Sequence, residues 1–161
     1  MKIMLASLEN SDEIMALYKS LVGTPGCTWD EYYPSSENIA QNIRNNSLYI
    51  IKDDCGGIIA AAGAEVERAH INIGCWSKEI KNPCGLFRVA VRGDMHNRRI
   101  GETLVRYIKD DLFSKGFDAV ILLVSPTNPA AVSLYKKCGF VKRGECSMYD
   151  TQWDCYEVMN K

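Results

Sequence analysis

The stretch 86–124 constrains the fold of this chain most strongly. It opens with the apolar run 86–91, passes through a polar loop into the basic, glycine-containing segment 98–103, and continues in a helical pattern that ends at Gly116. A second apolar run, 118–124, follows directly. Strand, loop, helix and strand in this order predict a βαβ unit, whose two strands lie parallel and are joined by a right-handed crossover.

The start of the helix in this unit is a predicted anion-binding turn. The first backbone N–H groups of a helix have no partner within the helix, and the helix dipole favours negative charge there. Arg98 and Arg99 add positive charge, and Gly101 lets the backbone approach a ligand closely. From these residues alone, the alternative is a basic helix start that is simply solvated.

The whole chain has the composition of one ordinary globular domain over residues 1–161. Hydrophobic residues make up 47% and charged residues 24%, and the net charge of −1 gives no general attraction to nucleic acid. Its apolar runs are far shorter than a membrane span, and the apolar start is too brief for a signal peptide. Seven cysteines without a C-x-x-C pair, and only two histidines, argue against a disulfide framework and a metal site. We therefore expect a cytoplasmic protein with no metal and no membrane or nucleic-acid partner.

The remaining periodicities predict a mixed α/β sheet flanked by helices. Apolar residues recur at helical spacing after Asn10 and after Ser35 or Ser36, and a D-D-C-G-G turn predicts a hairpin at 53–57. The predicted strands are 3–8, 48–51, 58–66, 69–75, 86–91, 118–124, 140–146 and 155–159, with the last two joined by a turn at 148–154. The predicted helices lie at 10–22, 36–44, 98–115 and 129–138.

The segment after the second apolar run has a specific pattern. It reads N-P-A-A-V-S-L-Y-K-K-C-G-F over residues 128–140, and this resembles the N-x-x-A-x-x-L-Y-x-x-x-G-F pattern of the GNAT superfamily of acyl-CoA N-acyltransferases. The order of the predicted elements also resembles that of the GNAT fold. The matching residues are Asn128, Ala131, Leu134, Tyr135, Gly139 and Phe140.

The Q/R-x-x-G-x-G/A pattern of the same family fits the basic helix start in two registers. Aligning on Leu104 places Gly101 on the second family glycine and Arg99 where the first usually sits. Reading from Arg98 instead places Thr103 at the last small position. We prefer the first register, because helix geometry fixes the distance from the glycine to the buried leucine.

The resemblance implies an acetyl-CoA-dependent N-acetyltransferase. Acetyl-CoA would lie between the strands 86–91 and 118–124, with its pantetheine paired to the backbone near Val89 and Val91. Asn128 is a good helix N-cap, and that role is compatible with contact to the cofactor. The pyrophosphate would bind the segment made of Arg98, Arg99, Ile100, Gly101, Glu102 and Thr103.

The resemblance also assigns Tyr135 as the acid that protonates the departing CoA thiolate, whereas taken alone it is a core tyrosine. A phenol suits this role, because it stays protonated at neutral pH. The base that accepts the proton of the amine is not identified, and Glu65, Asp30 and Glu31 are candidates by type only. A covalent intermediate on Cys138 is a further alternative, although a cysteine before a helix-ending glycine is usually buried.

The acceptor is expected to be a small-molecule primary amine. The loop 27–33 combines aromatic rings with carboxylates, which suits a cationic amine, and we name Trp29, Asp30 and Glu31 as acceptor-binding candidates. The simpler alternative is a loop packed on its own domain. Arg88 either lines the acceptor pocket or pairs with a carboxylate such as Glu65. The rival functions are acetylation of a protein N-terminus or lysine, and a non-catalytic acyl-CoA-binding module; a monomer or a homodimer is expected.

Overall fold

A computed structural model describes all 161 residues, Met1–Lys161. The strands are β1 (Lys2–Leu5), β2 (Leu48–Lys52), β3 (Ile58–Glu65), β4 (Pro83–Val91), β5 (Ala119–Val124), β6 (Val141–Met148) and β7 (Thr151–Met159). The helices are α1 (Ser11–Leu21), α2 (Ser36–Arg44), α3 (Arg68–Ile71), α4 (Ile100–Ser114) and α5 (Pro129–Lys137), with short 3₁₀ turns at Leu8–Asn10 and Gly93–Met95.

The strands form one seven-stranded sheet in the order β1-β2-β3-β4-β5-β7-β6. Strands β4 and β5 pair in parallel from Pro83–Ala119 to Gly85–Ile121, whereas β5 and β7 pair antiparallel over the whole of β5. The mixed α/β sheet predicted from the sequence is therefore confirmed, together with the parallel βαβ unit at its centre.

The chain divides into two compact units. The first comprises residues 1–63 and 88–104, and the second comprises residues 64–87 and 105–161. In the first unit, the apolar faces of α1 and α2 pack with β2 and β3 into one core. Its fully or nearly buried members are Ala6, Ile14, Leu17, Tyr18, Ile39, Ile43, Leu48, Ile50, Ile58, Ala61 and Ala90.

Helix α2 begins where its capping residues dictate. The Ser35 hydroxyl accepts a hydrogen bond from the Asn38 amide at 3.1 Å, and the Asn38 side-chain oxygen accepts one from the Ser35 amide at 2.8 Å. This reciprocal pair satisfies two N–H groups that the helix start would otherwise leave open. Of the two serines that the sequence offered as caps, Ser35 is the one used.

In the second unit, β5, β7 and β6 form antiparallel ladders, and the end of α5 is tied to α4. The Lys109 ammonium donates to the Cys138 carbonyl at 3.1 Å, and the Arg106 guanidinium donates to the Lys137 carbonyl. Two cations thus cover carbonyls that the last turn of α5 cannot satisfy itself.

Two sequence predictions in this unit are wrong. The strand predicted at 69–75 is the helix α3, whose start is capped by the Glu67 carboxylate accepting from the Ala69 amide, followed by irregular chain. The turn predicted at 148–154 is much shorter, because Tyr149 and Asp150 both adopt positive φ (54° and 57°) and close a two-residue hairpin between β6 and β7.

Other boundaries differ by a few residues. Strand β1 ends at Leu5 rather than at Leu8, because the chain turns into a 3₁₀ segment there. Strand β4 begins at Pro83, ahead of the apolar run that predicted it.

Candidate active site

The start of α4 presents positive charge in the first unit. Arg98 and Arg99 are exposed, and Gly101 is buried in the first turn. The Thr103 amide and hydroxyl both donate to the Arg99 carbonyl, at 3.0 and 2.8 Å, so Thr103 begins the hydrogen-bond ladder of the helix. The N–H groups before it precede that ladder, and together with the two arginines they favour an anion.

Arg99 has an unusual backbone. Its φ is 59°, in the left-handed region that glycine adopts at little cost and other residues avoid. Position 99 therefore has the conformation that favours glycine, although it carries an arginine.

The end of β4 also departs from regular strand geometry. Arg88 has φ 50°, and the half-buried Val89 and Val91 follow it. The ring Nε2–H of His96 donates to the Val91 carbonyl at 2.9 Å, because a carbonyl can only accept. The backbone named as the pantetheine partner is thus held from one side by His96, a residue that sequence reasoning missed and that no periodicity marks.

The Arg88 side chain joins three elements of the first unit. Its Nε donates to the Tyr33 hydroxyl at 2.8 Å, its Nη1 donates to the Asn42 side-chain oxygen at 2.8 Å, and the guanidinium lies 5.1 Å from the centre of the Tyr33 ring. Asn42 is only 5% exposed on α2. A signal for Asn42 was available in the sequence, because a polar residue there interrupts the buried face formed by Ile39 and Ile43.

The loop predicted to bind the acceptor divides its roles. Trp29 packs edge-on against Tyr18, with ring centres 5.2 Å apart, and so contributes to the core. The Asp30 carboxylate accepts from the amides of Tyr32 and Tyr33 at 2.8 and 2.9 Å, which fixes the shape of the loop. Glu31 is exposed. Three neighbours in sequence thus occupy a core position, a loop-shaping position and the surface.

The turn from β5 into α5 lies in the second unit and is built as the sequence indicates. The Asn128 side-chain oxygen accepts from the Ala131 amide at 3.2 Å, and Pro129 occupies the first helical position. Ser125 is buried, and its hydroxyl shares a hydrogen bond of 2.7 Å with that of Thr127. Asn128 therefore acts as the N-cap of α5.

Tyr135 is the buried titratable residue of α5, whereas Lys136 and Lys137 are exposed. Its ring is 8% exposed and lies edge-on to Phe140, with centres 5.8 Å apart. Its hydroxyl makes no hydrogen bond within the protein. Every side-chain oxygen that is fully buried in this protein does have a hydrogen-bond partner, so the Tyr135 hydroxyl oxygen is not fully buried and remains accessible. Burial raises the pKa of the phenol above its usual range, with the nearby Cys138 thiol acting in the same direction. The phenol therefore keeps its proton at neutral pH and can offer it to a ligand.

The other candidates from the sequence are placed differently. Cys138 is 0% exposed at the end of α5, so its thiol is shielded from an acyl donor in solution. Glu65 is half-buried at the end of β3, and Glu31 and Asp30 are exposed. No group of three or more His, Cys, Asp and Glu side chains is arranged to hold a metal ion. None of the helices has the length and apolar character needed to cross a bilayer.

Comparison with curated proteins gives a partial sequence match. Over 55 residues the chain is 36% identical to the [ribosomal protein bS18]-alanine N-acetyltransferase of Salmonella typhimurium strain LT2. This match covers 34% of the present chain and 37% of that relative. It therefore spans little more than a third of either protein.

Solved structures match over nearly the whole chain. An acetyltransferase of the GNAT family from Streptococcus agalactiae 2603 superimposes with a TM-score of 0.84 at 17% identity, covering 99% of this chain and 95% of that one. A GNAT superfamily phosphinothricin acetyltransferase from Sinorhizobium meliloti, solved in complex with AcCoA, gives a TM-score of 0.77 at 16% identity, covering 98% and 87%. At these identities the likeness establishes the fold.

The family follows from the sequence itself. The model of the acetyltransferase (GNAT) family matches residues 14–140, which is most of the chain and includes both the basic start of α4 and the Tyr135 motif. The chain belongs to the GNAT family of acetyltransferases.

Proposed function

We propose that this protein transfers the acetyl group of acetyl-CoA to the primary amine of a small molecule, by direct attack within a ternary complex. The observation that carries the proposal is Tyr135, a protonated phenol whose hydroxyl has no partner within the protein and remains accessible. A binding module would not need a proton donor at that position, so this tyrosine favours catalysis over simple acyl-CoA binding.

The start of α4 fits the pyrophosphate of acetyl-CoA. The helix start and the exposed Arg98 and Arg99 favour an anion, and Gly101 lets the backbone come close. We assign the remaining cofactor contacts to the backbone of Val89 and Val91 and to Asn128. Acetyl-CoA, when bound, would supply a thioester carbonyl open to attack by an amine. The phosphinothricin acetyltransferase from Sinorhizobium meliloti was solved with AcCoA bound.

Tyr135 is the general acid in this mechanism. When the amine has attacked the thioester, the sulfur leaves carrying negative charge, and the Tyr135 hydroxyl donates a proton to it. Burial keeps the phenol neutral, so no other group has to protonate it beforehand. An N–H of β4 near Val91 is the donor we assign to the developing oxyanion, a role of the kind that contributes strongly in acyl transfer.

The two candidate functions differ in the acceptor of the acetyl group, which is either a small molecule or a protein. The exposed carboxylates of Asp30 and Glu31 favour a cationic amine, which supports a small-molecule acceptor. The second candidate is the N-terminal amine of a protein, favoured by the partial match to a ribosomal-protein-alanine N-acetyltransferase. The cytoplasmic location and the monomeric or homodimeric state stay predictions.

The test is an acetyl-transfer screen with mass detection. Polyamines, amino acids, aminoglycosides and a peptide with an N-terminal alanine are each incubated with acetyl-CoA and the protein. We expect one small amine to gain a single acetyl group. Acetylation of the peptide alone would establish the second candidate, and CoA binding without transfer to any amine would leave only the binding module.

The cofactor assignment has its own matched pair of variants. Gly101→Val places a branched side chain in the first turn of α4 and should abolish the rise in melting temperature that CoA produces. Gly93→Val is the control, because a side chain at Gly93 would meet nothing within 4 Å and its φ is ordinary. Equal CoA shifts in both variants would place the cofactor elsewhere.

A further inference from the structure

Three cysteines lie together in the second unit, where Cys75 is far in sequence from Cys146 and Cys155. Cys75 follows α3, Cys146 lies on β6, and Cys155 lies on β7. The Cys155 thiol is fully buried, and the half-buried thiols of Cys75 and Cys146 lie close enough to interact with it electrostatically. All three are free, and they do not form a metal site.

The strand register decides which two thiols can join. Cys155 pairs with Gly144, and Cys146 pairs with Trp153, so Cys146 and Cys155 are diagonal neighbours. Diagonal neighbours have Cα atoms roughly 7–8 Å apart. A disulfide needs about 4.4–6.8 Å between Cα atoms. The register therefore disfavours a bond between Cys146 and Cys155.

Cys75 is placed differently. Its Cβ lies 3.1 Å from the point that a Cβ on Gly144 would occupy, and its Sγ lies 3.8 Å from that point. Gly144 is directly opposite Cys155, and side chains directly opposite each other have Cβ atoms about 4.5–5.5 Å apart. The Cys75 side chain thus occupies the space that the glycine leaves on the face of the sheet where Cys155 lies.

The segment that carries Cys75 is held in this position. The Ser77 amide donates to the buried Glu157 carboxylate at 2.9 Å, and the Trp76 ring N–H donates to the His70 carbonyl at 2.9 Å. The segment that carries Cys75 is therefore held against β7 by contacts that do not depend on a disulfide.

We propose that Cys75 and Cys155 form an intramolecular disulfide when the protein meets a small disulfide oxidant such as oxidised glutathione. The half-buried Cys75 thiolate attacks one sulfur of the oxidant, whose S–S bond breaks and releases one glutathione thiolate. Cys155 then loses its proton to solvent and attacks the Cys75 sulfur, which releases the second glutathione. Two protein thiols are oxidised, and one glutathione disulfide is reduced to two thiols.

The surroundings make this reaction slow at neutral pH. Burial raises the pKa of the Cys75 thiol, and the negative charge of Glu157 and a charged Cys146 act in the same direction. Burial also raises the pKa of the Cys155 thiol, well above its usual range. Because the thiolate is the attacking species, the rate should rise about tenfold per pH unit below these pKa values.

The test is peptide mapping without reduction. The reduced full-length protein is incubated with oxidised glutathione at pH near 7 and near 9, its remaining thiols are blocked, and it is digested. We expect a cross-linked pair of peptides containing Cys75 and Cys155, formed faster at the higher pH. Cys146→Ser and the surface control Cys55→Ser should retain the link, and Cys75→Ser should lose it. A link from Cys155 to Cys146, or wild-type protein that carries only glutathione adducts or unmodified thiols, would overturn the proposal.

Discussion

Tyr135 offers the sharpest test at the scale of a single residue. Tyr135→Phe keeps the ring and its edge-on packing against Phe140 but removes the proton donor. We expect kcat to fall about 10²–10⁴-fold, the range of a positioned acid, with the Kd of CoA unchanged. Steady-state kinetics and calorimetric titration measure the two quantities. Tyr149→Phe, which changes an exposed tyrosine, is the control and should keep its activity.

The pH profile gives an independent view of the same residue. Since burial raises the pKa of Tyr135, the phenol is protonated below that raised value and loses its function only above it. With saturating substrates, kcat should show no decline from Tyr135 ionisation up to about pH 10, the ordinary pKa of a tyrosine. A loss of kcat near pH 8 that disappears in Tyr135→Phe would contradict this assignment.

At Arg99, the cost of the strained backbone and the contribution of the charge can be measured separately, the first as stability and the second as CoA affinity. Its positive φ costs an arginine roughly 1–2 kcal/mol. A glycine at either position gives up about 0.5–1 kcal/mol of chain entropy, but only Arg99→Gly also recovers the cost of the positive φ. We therefore expect Arg99→Gly to be the more stable of the two by about 1–2 kcal/mol in urea denaturation. Arg99→Gly should also bind CoA more weakly, and more so at low salt. If it bound CoA as well as wild type, Arg99 would have no phosphate contact.

Among the elements, the irregular chain after α3 depends on one buried carboxylate of β7. Glu157 is 2% exposed, accepts from both the amide and the hydroxyl of Ser77, and pairs with Arg143 at 3.1 Å. Glu157→Ala leaves those donors without a partner and should cost about 2–4 kcal/mol in urea denaturation. Glu145→Ala removes an exposed partner of Lys142 and should cost less than about 1 kcal/mol. Similar losses in both would show that Glu157 does not hold this segment.

The elements that were predictable are those whose signal is local. Helix α1 shows its buried face through Ile14, Leu17 and Tyr18 at helical spacing, and α5 shows its start through Asn128. Helix α3 has only four residues, too few for a helical period, and the alternation after it imitated a strand. The β6–β7 turn was predicted too long because neither Tyr149 nor Asp150 is glycine, the usual residue at positive φ.

For the whole molecule, sequence indicated the fold and the separate parts of the site but not the contacts between distant segments. The βαβ unit and the Tyr135 motif are each continuous in sequence, so pattern and resemblance were enough. The bonds of Arg88 to Tyr33 and Asn42, and the cluster of Cys75 with Cys155, join segments far apart along the chain. Such contacts depend on tertiary packing, which no local period encodes.

The last prediction concerns how the two compact units unfold. Their boundaries fall inside β3, β4 and α4, so no linker separates them and breaking one unit disrupts elements of the other. We therefore propose that the chain unfolds as one domain, in a single two-state transition.

The three tryptophans can test this proposal, because Trp29 reports on the first unit, and Trp76 and Trp153 report on the second. Fluorescence melts of Trp29→Phe, and of the double variant Trp76→Phe with Trp153→Phe, should each show one transition in which CoA raises the midpoint, because CoA at 100 times its Kd adds about 2.7 kcal/mol to the native state. Each substitution also changes the stability of the protein, and this contribution cancels when the midpoint of one variant is compared with and without CoA. A CoA shift seen only by Trp29 would show that the units unfold separately.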